Sequence, residues 1–304
     1  MPGSATAGGF LLVLAIVLPV SGAILALALG GRHAERVVLI VMPTVVVLAV
    51  AIGATVWRTR DALQYSVGGW GPPLGVAFRA DGLSAAMLVT AALLMCGIGL
   101  FARGQFSRSQ EAETRAALVF WTLLLAFWGA LNAVFIGGDL FNLYVALELL
   151  TFAAVPLVSL DGRADTLTAA LRYLLFALFG SLLYLLGAVV LYGAYGTLDI
   201  VLLSGRIRAE PAAWAAISLM TSGLLAKAAL YPFHLWLPPA HAGAPAPASA
   251  VLSGLVVKAP FSWWSGCGSM SCPGCRSMQR RRCSALWALQ QSSSAALWHS
   301  AKCG

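Results

Sequence analysis

Three ionisable residues lie where a membrane-embedded chain can least tolerate charge. They are Glu148 in GGDLFNLYVALELLTFAAVPL, Lys227 in LLAKAALYPF and Lys258 in SAVLSGLVVKAP. A charge at the centre of a membrane helix costs about 2.5–3.5 kcal/mol even on the gentler insertion scales, so such residues face a partner, a cavity or an ion path. Lysine usage sharpens the point. The chain has three lysines against sixteen arginines, and arginine fills the basic loop positions. The side chain whose proton becomes negotiable on burial sits inside apolar runs instead. The chemistry this allows is reversible proton binding. Burial favours the neutral amine and an adjacent carboxylate favours the ammonium. A buried Glu–Lys pair therefore holds its proton while the two charges stay together and releases it when they part. His234 and His241, in the loop between the lysines, are further candidates for proton transfer, with capping or interfacial roles as the alternative. A buried pair can also act as a staple that fixes helix register; a second lysine without a second acid argues against that role alone.

The elements that must hold these residues are membrane helices. Hydrophobic residues make up 60% of the 304 residues and charged ones 10%, with mean hydropathy +0.86. Soluble domains carry about 25% charged residues. The expected fold is all-α, a polytopic membrane helix bundle. Crossing hydrocarbon takes about 20 apolar residues, and eight candidate spans follow: 10–30, 37–57, 83–102, 116–136, 140–160, 167–192, 212–231 and 248–264. The first is read as a retained helix, too long for a signal-peptide core and without a basic flank. Between the second and third spans, RTRDALQYSVGGWGPPLGVAFRADG alternates like strands around a Gly-Pro turn, which predicts a small extramembrane hairpin. Arginines and lysines in the short loops divide five against six between the two sides, so the positive-inside rule leaves orientation undecided.

Helical spacing refines the candidate site. Glu148 lies ~13 Å along the axis from Asp139, near the membrane midplane. Tyr144, Glu148, Thr151 and Val155 fall on one face, as do Gly223, Lys227 and Tyr231. Pro232 removes the helical bond to the carbonyl of Ala228, and Pro260 the bond to that of Val256. Broken helices are thus expected near Pro232 and Pro260, beside the two lysines, where freed carbonyls and half-helix ends can solvate an ion or water. Arg172 is read as snorkelling from near a span end, and the tryptophans as interface anchors.

Other chemistries find no support. There is no phosphate-binding loop, dinucleotide fingerprint, HExxH or nucleophile elbow, and no basic face with interleaved aromatics for nucleic acid. Cys96 is read as packing. A transmembrane domain is expected over 1–264 and an aberrant tail over 265–304. Ser, Cys and Trp supply 19 of the 43 residues from Ser262 to Gly304, against 20 of the 261 before them. Their codons mostly begin with T, and a one-base slip back moves that T to the middle position, which encodes apolar residues. The tail from about Ser262 is therefore expected to be a frameshifted ending. Its single C-x2-C step, within Cys267, Cys272, Cys275 and Cys283, is too little for a structural zinc, and no metal or cofactor is expected.

At the residues named above the chain resembles the proton-conducting antiporter family shared by respiratory complex I and Mrp-type Na+/H+ antiporters. GDLFNLYVALELL is similar to the family's fifth-helix signature. KAALYPFHLWLPPAHAGAPAPASAVLSGLVVK is similar to its seventh-to-eighth signature, and the likeness covers most of residues 65–260. GDLFNLYV leans toward the Mrp D-type subunit. Pro239 stands where many members have Asp. The resemblance implies that Glu148 matches the fifth-helix glutamate, Lys227 the seventh-helix lysine paired with it, and Lys258 the eighth-helix lysine that hands the proton onward. The family has about fourteen helices, so this chain is expected to hold one half-channel and not to conduct protons alone. The implied function is proton translocation as part of a multisubunit Na+/H+ antiporter. The alternatives are a pumping, non-redox subunit of an NADH:quinone oxidoreductase or membrane hydrogenase, and a non-functional fragment. The partners expected are other membrane subunits, the lipid bilayer, protons and, for an antiporter, Na+; the expected location is the cell inner membrane.

Overall fold

The computed structural model describes residues 6, 8–73, 75–106, 115–208 and 210–260. The expected aberrant tail, with its cysteines, lies outside the described residues. Six long apolar helices come first: α1 (Phe10–Leu29), α2 (Gly31–Thr59), α3 (Gly82–Phe106), α4 (Arg115–Ile136), α5 (Leu140–Val158) and α6 (Ala164–Tyr195). All six are long and apolar enough to cross a membrane. The chain is a multi-pass membrane protein. α1 packs on α2 and α4, α4 on α5, α5 on α6, and α6 along α8 (Pro211–Lys227). The short α7 (Ile200–Arg206), in what reads as a simple connection, is capped by Asp199, which accepts from the amide of Leu202.

The expected hairpin is present. β1 (Leu63–Ser66) pairs antiparallel with β2 (Ala77–Ala80), Leu63 opposite Ala80. Phe78 bridges to Gly137 and Asp139 to Asp199, so the start of α5 is tied by backbone bonds both to the hairpin and to the segment before α7. Asp139 caps α5 by accepting from the amides of Phe141 and Asn142 at 2.8 and 3.1 Å. Burial raises its carboxyl above the usual carboxylate range, with Asp199 adding to the rise and the two capped amides opposing it.

The seam between α1 and α4 shows how a helix proline is accommodated. Pro19 has no N–H for the carbonyl of Ala15. Asn132 of α4 supplies the missing donor, its Nδ2 lying 2.7 Å from that carbonyl. Gly129, one turn earlier on α4, permits the approach: a Cβ there would meet Val20 at 2.6 Å. Replacing the buried Asn132 by Leu strands the Ala15 carbonyl, and a buried acceptor left unpaired costs about 1–3 kcal/mol. Thermal unfolding in detergent should show that loss; an Asn132→Leu protein as stable as the parent would mean that Ala15 finds another donor.

The last two expected spans are not continuous helices. α8 has 17 residues and ends at Lys227 itself. Ala229 then turns left-handed at φ 51°, and a 3-10 turn at Phe233–Trp236 leads into α9 (Leu237–Gly243). The break near Pro232 is present but begins four residues earlier, so Tyr231, 84% exposed, does not share the face of Lys227. Next comes α10 (Ala246–Val251). It widens into a π-helical turn at Leu252–Val256 and resumes helical form to Pro260. The irregularity assigned to Pro260 therefore sits one turn upstream of it. The π turn wraps Leu252 to Val257, the amide of Val257 donating to the carbonyl of Leu252.

Candidate functional site

Two helices deliver the central pair. On α5, Glu148 and Thr151 fall on the buried stripe with Leu147 and Leu150. On α8, the buried stripe Ala216, Met220, Gly223 and Lys227 faces α6. The approach of α6 to α8 depends on glycine. A Cβ on Gly180 would lie 2.8 Å from the carbonyl of Gly223, one on Gly223 2.3 Å from that of Gly180, and one on Gly187 2.6 Å from that of Ala216. Small residues at such a crossing let membrane helices pack backbone to backbone. Here they seat Lys227 directly beside α5.

Lys227 Nζ lies 3.1 Å from Glu148 Oε1. It also donates to Thr151 Oγ1 at 3.0 Å and to the carbonyl of Leu147 at 3.3 Å. An ammonium has three N–H donors, and all three are used. The Thr151 hydroxyl donates a hydrogen bond to the carbonyl of Leu147 at 2.9 Å, so its oxygen is free to accept from the lysine. Ser181 of α6 donates to the same carboxylate oxygen of Glu148. The side chains are 6% and 12% exposed, so each charge depends on the other.

Beside the pair is a small cavity lined by Thr151, Tyr173, Lys227, Val256 and Pro260, among others, with room for about one water molecule. It separates Lys227 from the second irregular helix. Tyr173 is 2% exposed and stacks on Trp236, centroids 4.3 Å apart and planes at 10°. Trp236 is fully buried and donates from Nε1 to the carbonyl of Ala226, in the last turn of α8, at 3.1 Å. It is a structural anchor of the break, not an interface residue.

The other expected site residues are not brought to the pair. Lys258 is exposed and donates to the carbonyl of Ser253 at 2.7 Å. Val256 and Pro260 line the cavity, and Lys258, two residues from each, projects from the opposite side of the helix. His241 shares a 2.7 Å hydrogen bond with Ser249, joining α9 to α10. His234 is partly buried against the exposed ring of Tyr231, centroids 5.8 Å apart, and its Nδ1 has no partner among the described residues. Sequence reasoning does not reach Ser181, Tyr173 or Trp236. For the first two a signal exists: Tyr173, Ala177, Ser181, Tyr184 and Ala188 recur at helical spacing and form the buried stripe of α6.

The chain has relatives among known proteins. It is 34% identical over 217 residues to the NADH-quinone oxidoreductase N subunit of Desulforudis audaxviator, covering 69% of this chain and 42% of that one. It is 30% identical over 204 residues to the Na(+)/H(+) antiporter D subunit of Bacillus subtilis, covering 66% and 40%. The fold superposes on a chain of the Mrp complex from Dietzia with a TM-score of 0.75 and 27% identity, over 84% of this chain and 48% of that one. The chain thus spans less than half the length of each of these relatives. The family described as NADH:quinone oxidoreductase/Mrp antiporter, TM, matches residues 137–262. That match opens two residues before the acid that caps α5 and closes two past Pro260, enclosing both lysines, and the chain belongs to this family of membrane subunits.

Proposed function

We propose that the chain is a proton-translocating membrane subunit, acting within a multisubunit Na+/H+ antiporter of the cell inner membrane. The observation that carries this reading is the buried Glu148–Lys227 pair, in which every donor of the ammonium is engaged. With Glu148 charged and in place, the proton on Lys227 is held. If the carboxylate is neutralised or drawn away, burial favours the neutral amine, and the proton leaves by the cavity side. Glu148 sets the charge state, Lys227 carries the proton, and Thr151 and Ser181 keep the pair in register. Lys258, His234 and His241 are proposed for later steps, reached through movement of the α8–α9 break and the π turn. The partner subunits and the coupling ion belong to this proposal. A second reading, a pumping subunit of a redox-driven complex, is favoured by the 34% identity to an oxidoreductase N subunit; the same residues serve it.

The test is the pH gradient formed by membrane vesicles that carry the assembled complex. Glu148→Ala and Lys227→Ala should abolish or strongly reduce proton transport while expression survives. Glu148→Asp, one methylene shorter, should retain part of it. Near-normal transport in both alanine variants would leave the pair a structural staple.

A further inference from the structure

We infer that Ser181 is the positioning residue that lets Glu148 be neutralised in place, its hydroxyl acting as donor to the carboxylate and as acceptor for the carboxylic acid. The inference rests on the proton-translocation reading and adds how the acid of the pair changes charge without leaving its seat.

Two acceptors compete for one proton on Ser181. The residue is 2% exposed, and its hydroxyl meets both the Glu148 carboxylate on α5 and the carbonyl of Ala177, one turn back on α6 at 2.9 Å. A serine has one O–H donor and two lone pairs, so it donates to one of them at a time. The charge on Glu148 decides which. An ionised carboxylate makes the stronger, charge-assisted bond, and the hydroxyl points to it. The Ala177 carbonyl still has the helical N–H from four residues on. Once the carboxyl gains a proton its needs reverse, because the new O–H requires an acceptor and a buried donor left unpaired is costly. The ammonium of Lys227 has no lone pair to give. Ser181 does: its hydrogen turns to the Ala177 carbonyl, and its oxygen receives the O–H of Glu148. The serine keeps its own O–H bond, and no heavy atom has to move.

Thr151 shows the contrast. It too bonds one turn back, to the Leu147 carbonyl, but its oxygen faces the ammonium of Lys227 and serves as an acceptor. Ser181 faces the group that changes from acceptor to donor. The packing holds it still while the hydrogen turns. Ala177, Ser181 and Tyr184 share the buried stripe of α6, and Tyr184 donates to the Leu140 carbonyl of α5 at 3.1 Å, which pins α6 along the helix of the acid. On the other side, Gly180 packs backbone to backbone against Gly223 of α8. Ser181 is thus clamped between the helices that carry Glu148 and Lys227.

Infrared difference spectroscopy reads the carboxyl directly. The full chain, labelled with 13C at its glutamate carboxyls and placed in lipid nanodiscs, is followed as the pH is lowered. The band of protonated Glu148 is the one that Glu148→Gln lacks. Ser181→Ala, a smaller residue with better helix propensity, should keep the fold and move that band to higher wavenumber, as for an acid that has lost its acceptor. Ser222→Ala is the control. Its hydroxyl also bonds one turn back, at 2.8 Å, but lies outside the buried stripe of α8, and the band should stay where it is in the parent. A parent in which Glu148 gives no protonated band, an unmoved band in Ser181→Ala, or equal shifts in both serine variants would overturn the inference. The result is independent of transport. Vesicles in which Glu148→Ala still transports would remove the translocation reading and leave the band shift standing. An unmoved band in Ser181→Ala, with transport lost in Glu148→Ala, would remove this inference alone.

Discussion

Lys227→Met alone should destabilise the bundle by about 3–5 kcal/mol, and adding Glu148→Gln should recover most of that loss. The single variant leaves the Glu148 carboxylate buried opposite a thioether, with Ser181 as its remaining donor, and removes the donors from Thr151 and the Leu147 carbonyl. Glu148→Gln alone leaves an ammonium that has lost its counter-charge but keeps its two neutral acceptors, so its cost should be smaller. In the double variant both charges are gone and Met fills most of the lysine's volume. Unfolding in mixed micelles measures all three. Singles within about 0.5 kcal/mol of the parent, the usual range for uneventful surface changes, would show that water reaches the pair freely.

Gly223→Leu should prevent stable folding of the α6–α8 unit. The first side-chain carbon would stand 2.3 Å from the Gly180 carbonyl and 2.9 Å from the amide of Tyr184, and neither backbone can yield without parting the helices. Even Gly223→Ala should cost about 1–3 kcal/mol, the range for overpacking a tight contact. Its effect on transport should exceed its effect on stability, because Lys227 is one turn away on α8 and Ser181 adjoins Gly180. Gly193, also on α6, has no heavy atom within 4 Å of its would-be Cβ. Gly193→Ala should be neutral, or stabilising by up to about 1 kcal/mol from helix propensity. If Gly223→Ala and Gly193→Ala behaved alike in unfolding and transport, close packing would not be what seats the lysine.

Much of this arrangement is legible in the amino-acid sequence, because the membrane imposes a strong rule. Apolar runs mark α1 to α6, and a charge inside such a run marks Glu148 and Lys227 before any contact is seen. The hairpin follows from alternation around a Gly-Pro turn. The helix break could be located only roughly. Pro232 announces it, but α8 stops at Lys227 because Ala229 takes a left-handed conformation, and an alanine carries no sign of that. Extending the helical period across the break is what put Tyr231 on the lysine's face. Similarly, Pro260 marks an irregular helix without showing that the irregularity is a π turn at Leu252–Val256, with Lys258 on the face away from the cavity. Ser181 reads as one more small residue in an apolar stretch; its role appears only once Gly180 and Gly223 bring α8 alongside. Trp236 resembles an interface anchor until the Ala226 carbonyl gives its indole a buried partner.

The charge-neutral double variant, Glu148→Gln with Lys227→Met, separates structure from proton handling most directly. Its proton transport should be measured in vesicles carrying the assembled complex, at matched expression. If the pair handles the proton, the variant is folded and nearly as stable as the parent, yet forms no pH gradient above that of vesicles lacking the chain. Transport close to that of the parent, from a bundle with neither charge, would contradict a proton path through Glu148 and Lys227.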